Sequence, residues 1–290
     1  MKALVTGGVG FVGTNLIKRL LKDGYEVVSL DNYSTGLKEN EQEGCTYHNI
    51  DISKTSLEYL SWINPDIIYH LAARARIQPS ISNPHKTFMS NVFGTENVLD
   101  YAKIFKIPVV YAGSSSVHGD VHANPYTFTK WQGEELCKLY NKVFDLPVVI
   151  CRFYNVYGEH QLTDGDYCCV LGIFERQYKS YEPLTITGDG EQRRDFTYVG
   201  DIVDGLIRCG WMLESNRSHT VNGEIFELGN GENYSINEVA NAFGDYPKKW
   251  IDKRKGEMKE TLNTDNKAQE ILGWKPKGDI IKFIRKTYFK

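Results

Sequence analysis

Short β-branched apolar runs alternate with helix-length segments through the first 155 residues of the chain. The runs Ala3–Thr6, Glu26–Leu30, Thr46–Ile50, Ile67–Leu71, Val109–Ala112 and Val148–Arg152 predict strands. The intervals predict helices at Phe11–Lys22, Thr55–Ile63, Pro84–Phe105 and Tyr126–Val143. This rhythm is the sequence form of βαβ units and points to the α/β class with a doubly wound parallel sheet. Loops such as ARARIQPSISNP precede the later helices, and strand-end loops are where such sheets bind ligands. After Asn155 the rhythm fails: GEHQLTDGDYCC reads as loop, and later strands such as Leu184–Thr187 and Ile225–Leu228 are shorter. The expected division is a first domain over 1–155 and a smaller α/β lobe over 156–290, with Val199–Leu213 returning to the first.

Charge narrows the partners. The 34 Lys and Arg against 37 Asp and Glu sum to −3 with the signs interspersed, so no single-sign field favours nucleic acid or an anionic membrane. Any anion has to be held locally. The six cysteines (Cys45, Cys137, Cys151, Cys168, Cys169 and Cys209) lack C-x-x-C spacing, which leads us to expect free thiols in a reducing cytoplasm and no metal site. A strand-like run, KALVTG, starts one residue after Met1 and no run approaches 18 apolar residues, so neither a signal peptide nor a membrane span is expected.

The first strand runs directly into Gly7-x-x-Gly10-x-x-Gly13. Glycines at a strand-to-helix turn allow backbone N–H groups to approach a pyrophosphate, with the helix N-terminus facing it. The second strand leads to Asp31, where a carboxylate would bond an adenosine ribose and repel a 2′-phosphate; this favours NAD over NADP. DNYSTG is also good turn chemistry, which leaves a purely local role for Asp31 open. Further along, YAGSSSVHGDVHANPYTFTK places a serine triplet where an apolar strand leaves the sheet, then Tyr126 and Lys130 four apart at a helix start. A lysine beside a phenol stabilises phenolate and makes a tyrosine usable as a base near neutral pH. A solvated surface pair and a plain polar turn are the structural alternatives.

Together TGGVGFVG, DNYSTG, YHLAA, NVFGTENVL, the serine triplet, NPYTFTK, RFYNVYG, GDGEQRRDF and LGWKP resemble the extended short-chain dehydrogenase/reductases, and within them the NAD-dependent nucleotide-sugar epimerases. The resemblance spans almost the whole chain. It implies a Rossmann-type NAD-binding domain and a nucleotide-sugar-binding lobe. It assigns NAD contacts to Gly7, Gly10, Phe11, Val12, Gly13, Asp31, Asn32, Ser34, Asp51, Ile52, Leu71, Ala72, Ala73, Asn91, Tyr126, Lys130 and Tyr154. Catalysis falls to Ser114, Ser115, Tyr126 and Lys130, and the substrate's nucleotide diphosphate to Asn155, Arg194 and Arg254, with Thr261 at the gate of the sugar site. Related dehydratases and decarboxylases carry an acidic residue just after the first serine. Ser115 and Ser116 stand there in this chain, which points to epimerisation at C4 through a transient 4-keto sugar. Threonine at position 261 would leave space for a 2-acetamido group, and Asn155 stands where uronate epimerases tend to have threonine. UDP-GlcNAc/UDP-GalNAc and UDP-Glc/UDP-Gal are therefore the expected sugars. A uronate epimerase, a dehydratase, a ketoreductase and a non-catalytic NAD-binding scaffold are the alternatives. The family pairs two long helices from each of two subunits into a four-helix bundle, which implies a homodimer. The link VHGDVHA before Tyr126 is shorter than usual there, which would open or reshape the sugar-site wall.

Overall fold

The computed structural model describes residues 1–54, 56–215 and 218–289. Seven parallel strands form its main sheet: β1 (Lys2–Thr6), β2 (Glu26–Asp31), β3 (Cys45–Asn49), β4 (Ile67–His70), β5 (Val109–Ser114), β6 (Val148–Phe153) and β10 (Ile225–Leu228). Their spatial order is β10-β6-β5-β4-β1-β2-β3. The order therefore reverses at β1 and β4, which opens a crevice beyond the carboxyl ends of the strands. Ile225–Leu228, read from sequence among the later strands, is the edge strand of this sheet and pairs with β6.

Successive side chains of a strand point to opposite faces, and here both faces are buried. Ala3 and Val5 of β1 join one core with Leu16, Ile17 and Leu20 of α1 (Phe11–Lys22) and Ile202, Leu206 and Cys209 of α7 (Val199–Glu214). Leu4 faces the other core, with Val98 and Leu99 of α4 (Gly94–Phe105) and Cys137 and Tyr140 of α5 (Pro125–Phe144). Each fully buried Leu or Ile contributes about 1.5–3 kcal/mol relative to exposure.

Two expected helices differ in detail. Residues 84–105 are not one regular helix: α3 (Pro84–Phe88) passes through a π-helical turn at Met89–Phe93 before α4 begins. The Thr55–Ile63 helix is a 3-10 segment over Glu58–Ile63 with a kink at Leu60, and Thr55 lies outside the described residues. A short helix, α2 (Ile77–Ser82), occupies the ARARIQPSISNP segment.

Beyond β6 come β7 (Asn155–Tyr157), α6 (Val170–Lys179), β8 (Leu184–Thr187) and β9 (Arg193–Tyr198), and later β11 (Asn233–Ser235) and β12 (Lys248–Ile251). They form a three-stranded sheet, β11-β9-β7, and a two-stranded one, β12-β8. A third core packs here around Leu171, Phe174, Leu184, Ile186, Phe196 and Phe243. No helix among the described residues is long and apolar enough to cross a membrane.

Candidate active site

A cleft of about 500 Å³ runs along the carboxyl edge of the large sheet, between it and the smaller sheets' loops. At one end is the glycine turn. Gly7 has φ +76°, and a Cβ there would lie 2.8 Å from the Ala72 Cα; a Cβ on Gly13 would lie 2.1 Å from the Gly7 carbonyl oxygen. The backbone is folded so tightly that only hydrogen fits. α1 then starts at Gly10 with neither a side-chain cap nor an acidic residue in its first turn, leaving its first N–H groups facing the cleft wall. This cradle fits a dinucleotide pyrophosphate. Gly13→Ala should therefore abolish co-purifying NAD while leaving a folded protein, as read by absorbance of the acid-released cofactor and by circular dichroism.

Asp31 closes the same end. Its carboxylate accepts the Val9 N–H at 3.1 Å and the Tyr33 N–H at 2.8 Å, so it shapes the turn while lining the cleft. Burial pushes its pKa up, and these backbone donors partly offset the shift. The Asn32 side chain accepts the Ser34 N–H at 3.0 Å, and Asp51 is bonded to Ser53 at 2.6 Å.

The central feature is built by β5 and α5. β5 continues through Ser114, whose hydroxyl accepts the Ser116 N–H at 3.3 Å and turns the chain into a 3-10 segment. Asn124 caps α5 by accepting the Thr127 N–H at 2.9 Å, Pro125 occupies the first turn, and Tyr126 is thereby aimed back at the strand end. The Tyr126 hydroxyl donates to Ser114 Oγ at 3.1 Å, and Ser114 Oγ lies 2.9 Å from Ser116 Oγ. Lys130, one turn on and buried, donates to the Tyr111 hydroxyl at 3.0 Å and to the Ala112 carbonyl.

This corrects one expectation. Lys130 is anchored on β5 rather than on the Tyr126 hydroxyl. Burial drives the Tyr126 pKa up, and the groups holding it down are the Ser114 hydroxyl and the Arg76 guanidinium. Burial also lowers Lys130 to about 8, with Glu134 opposing the shift.

Beneath the serine turn is an ionic chain. Arg152 donates Nη2 at 2.7 Å and Nε at 3.1 Å to Glu134 Oε2, and Nη1 at 2.9 Å to Glu227 Oε1. His118 Nε2 reaches the same Glu227 oxygen at 2.9 Å, and that bond raises the histidine pKa despite its burial. The chain ties α5, β6, β10 and the serine turn together.

At the far end of the cleft, Asn155 donates to the Asp195 carbonyl at 3.1 Å and to Thr261 Oγ1 at 3.0 Å. Arg194 and Arg254 both face Glu257, each at 3.9 Å. Ser115, Tyr154 and Thr261 border the cleft and an adjoining cavity of about 450 Å³ that also includes His118 and Glu227.

Every residue picked from sequence lines the cleft except Asn91. Its side chain is 1% exposed, donates to Arg74 O at 3.2 Å and Thr129 Oγ1 at 3.0 Å, and accepts from Arg74 N at 2.7 Å. It braces the β4 loop from behind. Sequence reasoning missed Arg74, Arg76, Phe153 and Tyr167 in the wall. The two arginines had a signal, since ARARIQ directly follows a strand end at the topological switch.

The sequence model of the NAD dependent epimerase/dehydratase family matches residues 3–229. The chain is 33% identical over 305 residues to a putative UDP-glucose 4-epimerase of Methanocaldococcus jannaschii, covering 98% of this chain and 96% of that one. It is 31% identical to UDP-glucuronic acid decarboxylase 1 of Xenopus tropicalis, covering 100% of this chain and 72% of the relative. A UDP-glucose 4-epimerase from Thermotoga maritima, solved with UDP-glucose, superposes with a TM-score of 0.90 at 26% identity, covering 100% of this chain and 98% of that one.

Proposed function

The chain belongs to the NAD dependent epimerase/dehydratase family, and from that membership we propose that it is a nucleotide-sugar 4-epimerase working through a transient 4-keto sugar. The favoured substrates are UDP-GlcNAc/UDP-GalNAc and UDP-Glc/UDP-Gal. NAD is the cofactor. When bound, it takes up and returns the hydride of the sugar carbon being inverted. Gly7, Gly10, Phe11, Val12 and Gly13 would hold its pyrophosphate end, Asp31, Asn32, Ser34, Asp51 and Ile52 its adenosine end, and Leu71 to Ala73, Lys130 and Tyr154 the remainder.

The observation that carries this reading is the Tyr126–Ser114–Ser116 hydroxyl chain at the end of β5, in a turn that contains no carboxylate. Ionised to its phenolate, Tyr126 Oη takes the proton of the sugar hydroxyl, directly or through Ser114 Oγ, and hands it back after the ring has presented its other face. Ser115 lines the cleft beside them and assists at the same hydroxyl. Lys130 keeps a positive charge within the strand-end frame. Arg194 and Arg254 are suited to the substrate diphosphate by bidentate, charge-assisted hydrogen bonds, with Asn155 and Thr261 framing the hexose. An enzyme that rotates its sugar needs a tight grip on the diphosphate and a loose one on the ring.

Exposed Phe93, Ile104 and Phe105 on and beside α4, with Leu139, Val143 and Phe144 on α5, fit a homodimer through a four-helix bundle. The six cysteines are all free, which suits a reducing cytoplasm.

The test is proton NMR of a panel of UDP-, GDP- and dTDP-sugars incubated with the purified protein and no added cofactor. Inversion at C4 is the expected result. Formation of a 4-keto-6-deoxy sugar, or of no product despite bound NAD, would overturn the assignment.

A further inference from the structure

The serine turn is held at both ends by one run of charges. At its start, the Ser114 N–H donates to Glu134 Oε1 at 3.5 Å. Gly113, just before it, leaves room for the ion pair beneath: a Cβ there would lie 2.8 Å from Glu134 Oε1 and 3.0 Å from Arg152 Cγ. At its end, His118 closes the 3-10 segment Ser115–His118 and places Nε2 2.9 Å from Glu227 Oε1. Arg152 joins the two glutamates, with Nη2 2.7 Å from one and Nη1 2.9 Å from the other. The circuit from Ser114 through Glu134, Arg152 and Glu227 back to His118 therefore encloses the turn that carries Ser114, Ser115 and Ser116.

Histidine is the side chain whose charge changes near neutral pH, and His118 is the member of the circuit that meets water: its side chain is 45% exposed, against 8% for Glu227. The bond to Glu227 raises its pKa, and the Glu134 charge adds to the effect, while burial and the Arg152 charge oppose it. Glu260 and Asp265 border the same adjoining cavity, and the Tyr154 ring lies 6.4 Å from the imidazole. Charged, His118 makes a charge-assisted bond to a buried carboxylate; neutral, it makes an ordinary one of about half that strength. The stronger bond is fully present below pH 6.5 and is lost as the pH rises through the raised folded value.

Resting on the epimerase reading, we infer that His118 is a positioning residue for catalysis, which locks the serine turn against Tyr126 when protonated and loosens it, slowing turnover, when neutral. It acts through Ser114 and Ser116, whose hydroxyls follow Tyr126 in the proton path. Small movements matter there, because a displacement of about 1 Å at a reacting group can cost on the order of 10²-fold in rate. The diphosphate grip lies at the far end of the cleft, so the effect should fall on kcat and leave KM alone.

The experiment measures kcat and KM of the NAD-loaded protein from about pH 5.5 to 9 with the best sugar of the panel, for wild type and His118→Gln. Glutamine keeps a neutral donor for Glu227 and removes the ionisation, with NAD content and circular dichroism confirming the fold. The ratio of the two kcat values cancels the ionisations of Tyr126 and Lys130, which both proteins share. It should be about fivefold below pH 6.5, the scale separating a charge-assisted from a neutral hydrogen bond, and approach one at alkaline pH. The KM ratio should stay near one throughout. As a readout independent of turnover, amide hydrogen exchange of the wild-type segment 114–119 should lose protection as the pH rises through the His118 midpoint, and His118→Gln should lack that step. A kcat ratio that does not change with pH, or protection without the step, overturns the proposal. If no sugar is epimerised while the protection step is present and depends on His118, the epimerase reading falls and the pH-dependent clamp stands. If sugars are epimerised with a flat kcat ratio, the clamp falls and the epimerase reading stands.

Discussion

Tyr126→Phe should lower turnover by a factor on the order of 10² or more, the scale for losing a general base, while the protein still purifies with its NAD. The substitution keeps the ring and removes one atom. Ser114 Oγ loses the donor at 3.1 Å but keeps the Ser116 N–H at 3.3 Å and the Ser116 hydroxyl at 2.9 Å, so the turn survives. The loss should fall on kcat, with KM little changed, because the phenol acts on the proton in flight and not on the diphosphate. Single-turnover NMR with the best sugar of the panel measures it. A rate within a few-fold of wild type would remove Tyr126 from the proton path and leave Ser114 as the candidate base.

That prediction draws on residues that were legible along the chain, because one strand–turn–helix unit carries Ser114, Tyr126 and Lys130 within 17 positions (130 − 114 + 1 = 17). The same locality made the glycine turn and the helix Phe11–Lys22 readable. What failed to show has physical reasons. The segment ARARIQPSISNP, read as loop, holds α2, because Pro79 falls in the first turn of that helix, where a proline costs no hydrogen bond. The π-helical turn at Met89–Phe93 inserts a residue into the helical period, and this directs Asn91 at the Arg74 backbone instead of the cleft. The Lys130 reading assumed that i and i+4 neighbours interact with each other. β5 offered its ammonium the Tyr111 hydroxyl and the Ala112 carbonyl, partners visible only once the strand is packed against the helix.

The chain of Glu134, Arg152, Glu227 and His118 was the least legible part, because its bonds join residues 18, 75 and 109 positions apart. It should also give the largest stability effect. Glu134 is fully buried and Glu227 nearly so, and Arg152 is the cation between them. Arg152→Met keeps the apolar stem and leaves both buried carboxylates without their shared cation, which should cost about 3–5 kcal/mol, the scale for removing one partner of a buried ion pair. The sign of the pH dependence separates this account from simple loss of packing. In the wild type, burial raises the Glu227 pKa, but His118 and Arg152 outweigh it and hold the group below its ordinary 4.5. That stabilisation is present above pH 4.5 and fades as the pH falls through the lowered folded value. In the variant, burial acts on Glu227 without the arginine, and its carboxyl should titrate above its unfolded value. Its contribution is then intact at low pH and lost as the pH rises through the folded pKa. Urea unfolding between about pH 4 and 7 should therefore show the stability deficit narrowing on acidification. A deficit that stays constant with pH would mean that Arg152 stabilises the sheet edge by its packing, and that the two glutamates beneath the serine turn do not depend on its charge.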